Sequence, residues 1–145
     1  MHHSVSSIQR AAILAIVATV SGCASATGGA DAQRIGAGDW RLIELNARPA
    51  IPLEMSHRPW MRFAVDSGRV MGSGGCNRMS GPFTLAGDAL KFGAIVSTKM
   101  ACADNALNGQ EQGFFSALES TDRVEIHGDT LVLLKGNAAV ARLVR

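Results

Sequence analysis

The sequence predicts an α+β domain, mainly antiparallel β, of about eight strands with one helix packed against the sheet. Three observations predict it. From Asp39 onward the chain breaks into short apolar runs separated by turn residues, the pattern of a meander. Turns centred on Gly87, Gly128 and Gly136 each have an apolar run on both sides. One segment, 108–120, shifts to helical spacing.

Taken in order, residues 40–45 form the first candidate strand, ended by Asn46 and by Arg48-Pro49. Residues 52–59 hold two prolines around charged residues and read as an irregular or briefly helical connection. Met61, Phe63 and Val65 then alternate with Arg62 and Ala64 up to a hairpin turn at Asp66-Ser67-Gly68, which leads into Arg69-Val70-Met71. The remaining strand candidates are 83–85, 90–96, 124–126, 131–134 and 140–144. In the helical segment Leu107, Glu111, Phe114, Phe115 and Leu118 share a face, and Asn108 with Glu111 matches a capping arrangement. Phe114, Phe115 and Leu118 should close one side or end of the sheet, since an apolar sheet face must be covered. Gly113 inside this helix weakens it by up to about 1 kcal/mol.

The first residues read as an address. Arg10 gives the positive flank, and 11–20 is an apolar run too short to span a bilayer. Val20-Ser21-Gly22-Cys23 resembles the lipobox of bacterial lipoproteins, in which the cysteine sulfur is acylated, for instance with palmitate, and the chain is cut before it. Residues 1–22 are then a lipoprotein signal peptide and Cys23 is the lipidation site. An ordinary signal peptide cut within 24–26 is the alternative. Several acyl chains on one residue would anchor firmly, because each buried methylene contributes about 0.8 kcal/mol. Ala24 after the cysteine resembles the sorting pattern for the outer membrane, facing the periplasm. Residues 23–38, rich in Gly and Ala, read as a flexible tether, leaving 39–145 as a single domain. With 14 basic and 12 acidic residues the formal charge is +2, which gives no electrostatic argument for nucleic acid.

Three cysteines are an awkward count for an exported protein, and acylating Cys23 leaves Cys76 and Cys102 as a pair. A disulfide between them suits an oxidising compartment, while two buried free thiols are the alternative. Cys76 as a nucleophile would need His57 or His127 as base, and neither stands in a nucleophile motif. A metal site lacks ligands, because zinc wants a second close pair or nearby histidines. Gly72-Ser73-Gly74-Gly75 is followed by no Lys-Ser or Lys-Thr, so a bulge or close backbone approach is favoured over a phosphate loop. Candidate binding residues are Asn77, Arg78, Thr98 and Lys99. Asn77 can hold a tight turn, Arg78 can offer a fork to a carboxylate or phosphate, and Lys99 reads as solvated.

Trp40-Arg41-Leu42, Phe63, Gly72-Ser73-Gly74-Gly75-Cys76-Asn77-Arg78 with Gly81, Thr98-Lys99-Met100-Ala101-Cys102, Glu111, Phe114, Leu118, Leu131 and Leu133 together resemble the META domain of the HslJ type. The resemblance spans 39 to about 144. Phe83 departs from it, since the family often carries tyrosine there. The resemblance implies a curved antiparallel sheet or open barrel with a helix against it, in a small envelope or secreted protein without established catalytic chemistry and tied in some members to stress, antibiotic tolerance or motility. The function expected is therefore a non-catalytic, lipid-anchored envelope protein, needing no cofactor, that binds an envelope protein or other ligand in stress tolerance or envelope maintenance. A thiol-dependent enzyme or redox factor using Cys76 is the rival, and a structural envelope protein or assembly chaperone a third reading.

Overall fold

The apolar runs become strands that pair antiparallel, each mostly with its neighbour in sequence. The computed structural model describes residues 27–54, 57–100, 102 and 104–145. Residues 1–22, read above as a signal peptide, and Cys23 lie outside them. The strands are β1 (Trp40–Leu45), β2 (Arg48–Pro49), β3 (Trp60–Ala64), β4 (Arg69–Ser73), β5 (Arg78–Ala86), β6 (Ala89–Phe92), β7 (Val96–Ser97), β8 (Arg123–His127), β9 (Thr130–Lys135) and β10 (Ala138–Val144). Among the described residues two α-helices, α1 (Thr27–Ile35) and α2 (Asn105–Ser120), accompany them.

The sheet closes on itself. In the order β10-β9-β8-β6-β5-β4-β3-β1, strand β10 also pairs with β1, from Arg41 opposite Val144 to Leu45 opposite Ala141. Eight antiparallel strands thus form a barrel, and β2 and β7 lie off that ring on β1 and β5. The weakest seam joins β6 to β8 through the pair Ala89 and Arg123. It is reinforced by Leu90 N–H to Asp122 O and Val124 N–H to Asp88 O. Here the chain detours through α2, which contacts β1, β6, β9 and β10.

Alternation fills the interior. Trp40, Leu42, Met61, Phe63, Val70, Met79, Phe83, Leu90, Leu131, Leu133 and Leu143 point inward, and Phe114, Ala117 and Leu118 of α2 join them. Phe63 meets Phe83 edge to face at 5.0 Å between ring centroids, so position 83 is a packing position. Gly113 has a packing reason as well, because a Cβ there would lie 3.0 Å from Leu45 Cδ2.

Besides the run 90–96, which is split into β6 and β7, the differences from the sequence reading begin with the tether. Residues read as tether form α1, whose Ile35 is fully buried and whose Ile35 carbonyl accepts the Trp40 indole N–H at 2.7 Å. Ile35, its bond to Trp40 and the Arg34 guanidinium donating to the Ile126 carbonyl at 2.7 Å help dock this small-residue segment, which composition alone does not reveal. The cap of α2 is the second difference. Asp104, not Asn108, is the N-cap, its Oδ1 accepting the Ala106 N–H at 2.6 Å, and Glu111 turns away from the helix end altogether. The chain also turns back at once after β1, with Asn46 and Ala47 both at positive φ, so Arg48-Pro49 forms β2 instead of simply ending a strand.

The hairpin turns are set by glycines in the left-handed region. Gly87, at φ +60, has nothing within 4 Å of where a Cβ would stand. Gly87→Ala therefore isolates the conformational cost, and thermal or urea unfolding should show a loss of about 1–2 kcal/mol with no change in packing.

Candidate functional site

The turn between β4 and β5 is glycine-rich because something must sit on top of it. Gly74 N–H bonds Asn77 O at 2.9 Å to close the turn, and Gly75 takes φ +117. A side chain on Gly74 would run into Glu111 and Phe115 of α2. Gly72, one pair away, would likewise collide with the Trp60 carbonyl. The close approach expected for this segment is thus present at both ends.

Through the gap over Gly74 comes Glu111, only 3% exposed. Its Oε2 accepts the Cys76 N–H at 3.0 Å and the Asn77 N–H at 2.6 Å, and its Oε1 accepts Asn77 Nδ2–H at 2.6 Å. Asn77, 5% exposed, spends its other amide hydrogen on Met100 O at 3.0 Å. Its Oδ1 accepts from the Thr98 hydroxyl at 2.7 Å and the Met100 N–H at 2.8 Å. Two donors and two lone pairs are all occupied, so this amide is saturated. It works as a short piece of strand, pairing with both the N–H and the C=O of Met100. Thr98 Oγ1 also accepts the Arg78 N–H at 3.2 Å, and Cys76 is joined to Cys102 in a disulfide with Cα atoms 5.6 Å apart. Turn, β7 linker and helix are tied into one knot.

The four candidate binding residues therefore divide. Asn77 is buried and Thr98, though exposed, gives its hydroxyl to the knot, the turn-holding role foreseen for Asn77 but reaching across the fold as well. Arg78 and Lys99 are exposed, and no ion pair engages either among the described residues. His127 lies at the end of β8 beside Glu125, at 3.1 Å. His57 lines a cleft next to the disulfide. Cys76, Cys102 and Glu111 bring their ligand atoms within 4.8 Å of one another, but the sulfurs are bonded together and the carboxylate already accepts three N–H groups. As it stands, the sulfurs are tied up in the disulfide and three N–H groups compete for the carboxylate.

The cleft has a volume of about 440 Å³ and lies between the loop after β2, the glycine turn and the first turns of α2. Leu53, Met100, Leu107 and the disulfide form its walls, with Glu54, His57 and Gln110 as polar members. Gln110 is 9% exposed, and its Oε1 accepts the Ile51 N–H at 2.6 Å.

The sequence matches the family described as META domain over residues 31–145. The chain belongs to the META domain family, the HslJ-like family. No curated protein matches it. Among solved structures, an NMR structure of a protein from Burkholderia xenovorans is 22% identical, with a TM-score of 0.64 over 80% of this chain and 86% of the other. A second NMR structure is 21% identical, with a TM-score of 0.62 over 78% and 93%. At these identities the likeness is one of fold. In this META domain, then, the glycine-cysteine-asparagine block and the threonine-x-methionine-alanine-cysteine block are the two sides of one knot, and Glu111 is the post between them. The pattern did hold a signal for Glu111, since it stands in the same helical stripe as Leu107, Phe114 and Leu118, where a charge must find buried donors.

Proposed function

We propose that this META domain protein is a lipid-anchored envelope protein facing the periplasm, which binds an envelope protein or small ligand in stress tolerance or envelope maintenance and catalyses nothing. One observation carries the non-catalytic part: the groups best suited to chemistry are already spent. Cys76 and Cys102 are bonded to each other, and both oxygens of Glu111 hold backbone or amide hydrogens. A thiol nucleophile needs a free thiolate, and a general base needs a free lone pair aimed at substrate. The lipobox at 20–23 and Ala24 support the address, and the near-neutral charge gives no support to a nucleic-acid partner.

Cys23→Ser tests the anchor. The variant should lose metabolically incorporated acyl label and leave the membrane fraction; a variant that stays with the membrane removes the lipid anchor from the account.

A further inference from the structure

We propose that the outer face of strands β3 to β7 lies against an anionic phospholipid surface, that of the bilayer carrying the lipid anchor; this rests on the reading of Cys23 as acylated and gives the domain a second membrane contact. Alternation turns Arg62, Arg69, Arg78 and Lys91 to the exposed side of these strands. No Asp or Glu stands in any of the five, although the chain as a whole carries 12 acidic residues against 14 basic. The charge is balanced overall and one-sided here. Arg62 is engaged by Asp39 at 2.6 Å, while Arg69, Arg78 and Lys91 have no ion pair among the described residues. Of the acids in the adjoining turns, Asp88 pairs with Arg123, and Asp66 stands between β3 and β4.

The strand register shows what lies between the cations. Met71 sits opposite Arg62 on one side and Ser80 on the other, and Ser80 sits opposite Val96. Arg69 precedes Met71 by two residues on the same face, and Arg78 precedes Ser80 in the same way. Sheet spacings place all three arginines within about 8 Å of Met71, close enough for their fields to add at physiological salt. Met71 is 43% exposed and Val96 62%. Apolar tips set among cations suit a lipid interface, where the cations meet phosphate groups and the tips reach between them. A nucleic acid or other soluble polyanion would satisfy the arginines and leave Met71 and Val96 in water. A second copy of the chain is disfavoured, because the face would meet its own charge. Position favours lipid too. Residues 23–26 can span at most about 14 Å before α1 begins at Thr27, and α1 packs on β5, a strand of this face, and on β8. An acyl group on Cys23 therefore keeps a bilayer within reach.

The test is flotation of the processed chain carrying Cys23→Ser, which has no acyl chain of its own, with vesicles of phosphatidylcholine alone or of phosphatidylcholine mixed with phosphatidylglycerol. At about 20 mM salt it should bind the mixed vesicles at least about tenfold more tightly than the neutral ones, and at about 150 mM it should largely release them. The face alone is then too weak to hold the domain, so Cys23→Ser should still leave the membrane fraction. Arg69→Gln with Arg78→Gln should weaken binding to the mixed vesicles about twentyfold. Arg48→Gln with Lys135→Gln removes the same charge from exposed positions on other strands, and it should change binding by no more than about threefold. Met71→Ser with Val96→Ser should weaken vesicle binding about tenfold and leave binding to heparin, a soluble polyanion, unchanged. All six positions are exposed, and amide spectra report whether each variant is folded. Equal binding to the two kinds of vesicle, no binding at low salt, or an arginine pair no weaker than its control would each overturn the assignment. Serine variants that bind vesicles as tightly as the wild type would overturn it in favour of a soluble polyanion. If the mixed vesicles are not bound while Cys23→Ser loses acyl label and leaves the membrane, the face falls and the anchor stands; vesicle binding by a natively purified chain free of acyl groups removes the anchor and keeps the face.

Discussion

Glu111→Gln should destabilise the domain by about 2–4 kcal/mol, far more than so small a change costs on a surface. Glutamine has one acceptor oxygen where glutamate has two. If that oxygen keeps the Cys76 and Asn77 backbone hydrogens, the new NH₂ faces Asn77 Nδ2, donor against donor. If the amide flips, two backbone N–H groups inside the fold lose their acceptor. Either arrangement also exchanges charge-assisted bonds for neutral ones of about half the strength. Urea unfolding with an unchanged m-value would measure the loss, and Glu119→Gln on the exposed side of α2 should move stability by no more than about 0.5 kcal/mol. Equal stability of the two variants would show that the carboxylate does not brace the turn.

Removing the disulfide is the second large effect. Cys76 and Cys102 are 26 residues apart, and the chain-entropy relation assigns closure of such a loop about 3.5 kcal/mol. Cys76→Ala with Cys102→Ala should lower the urea midpoint accordingly. The hydrogen bonds of Asn77 to Met100 and the disulfide hold the same linker, so the two devices are coupled. Combining the cysteine pair with Glu111→Gln should depart from additivity by more than about 0.5 kcal/mol, as residues sharing one network do. Strict additivity would mean that the knot is two separate features that happen to be adjacent.

Much of the barrel was legible because its signals are local. Residues 40–45 alternate and stop at Asn46, and β1 has those bounds; the turns at Gly68, Gly87, Gly128 and Gly136 all use positive φ. Closure was not legible, since the pairing of β1 with β10 joins segments about a hundred residues apart and no local pattern encodes it. Helix α1 escaped notice because, among its described side chains, Ile35 is the one large apolar residue buried against the barrel. At the site, the cysteine pairing followed from counting and compartment, and the glycine run was readable as a close approach. What that run approaches was not readable. Glu111 satisfied a local capping pattern with Asn108 that the fold overrides, because Asp104 caps the helix and three donors of the distant turn claim the carboxylate. Asn77 was correctly placed in a turn, yet its bonds to Thr98 and Met100 depend on tertiary proximity alone.

The most direct test is an intact-mass measurement of protein purified from membranes, alkylated before and after reduction. The account predicts an acylated chain beginning at Cys23 that takes up no alkyl group as isolated and two once reduced. Two alkyl groups gained without reduction would contradict it, returning Cys76 to the list of free nucleophiles and leaving the knot without its covalent tie.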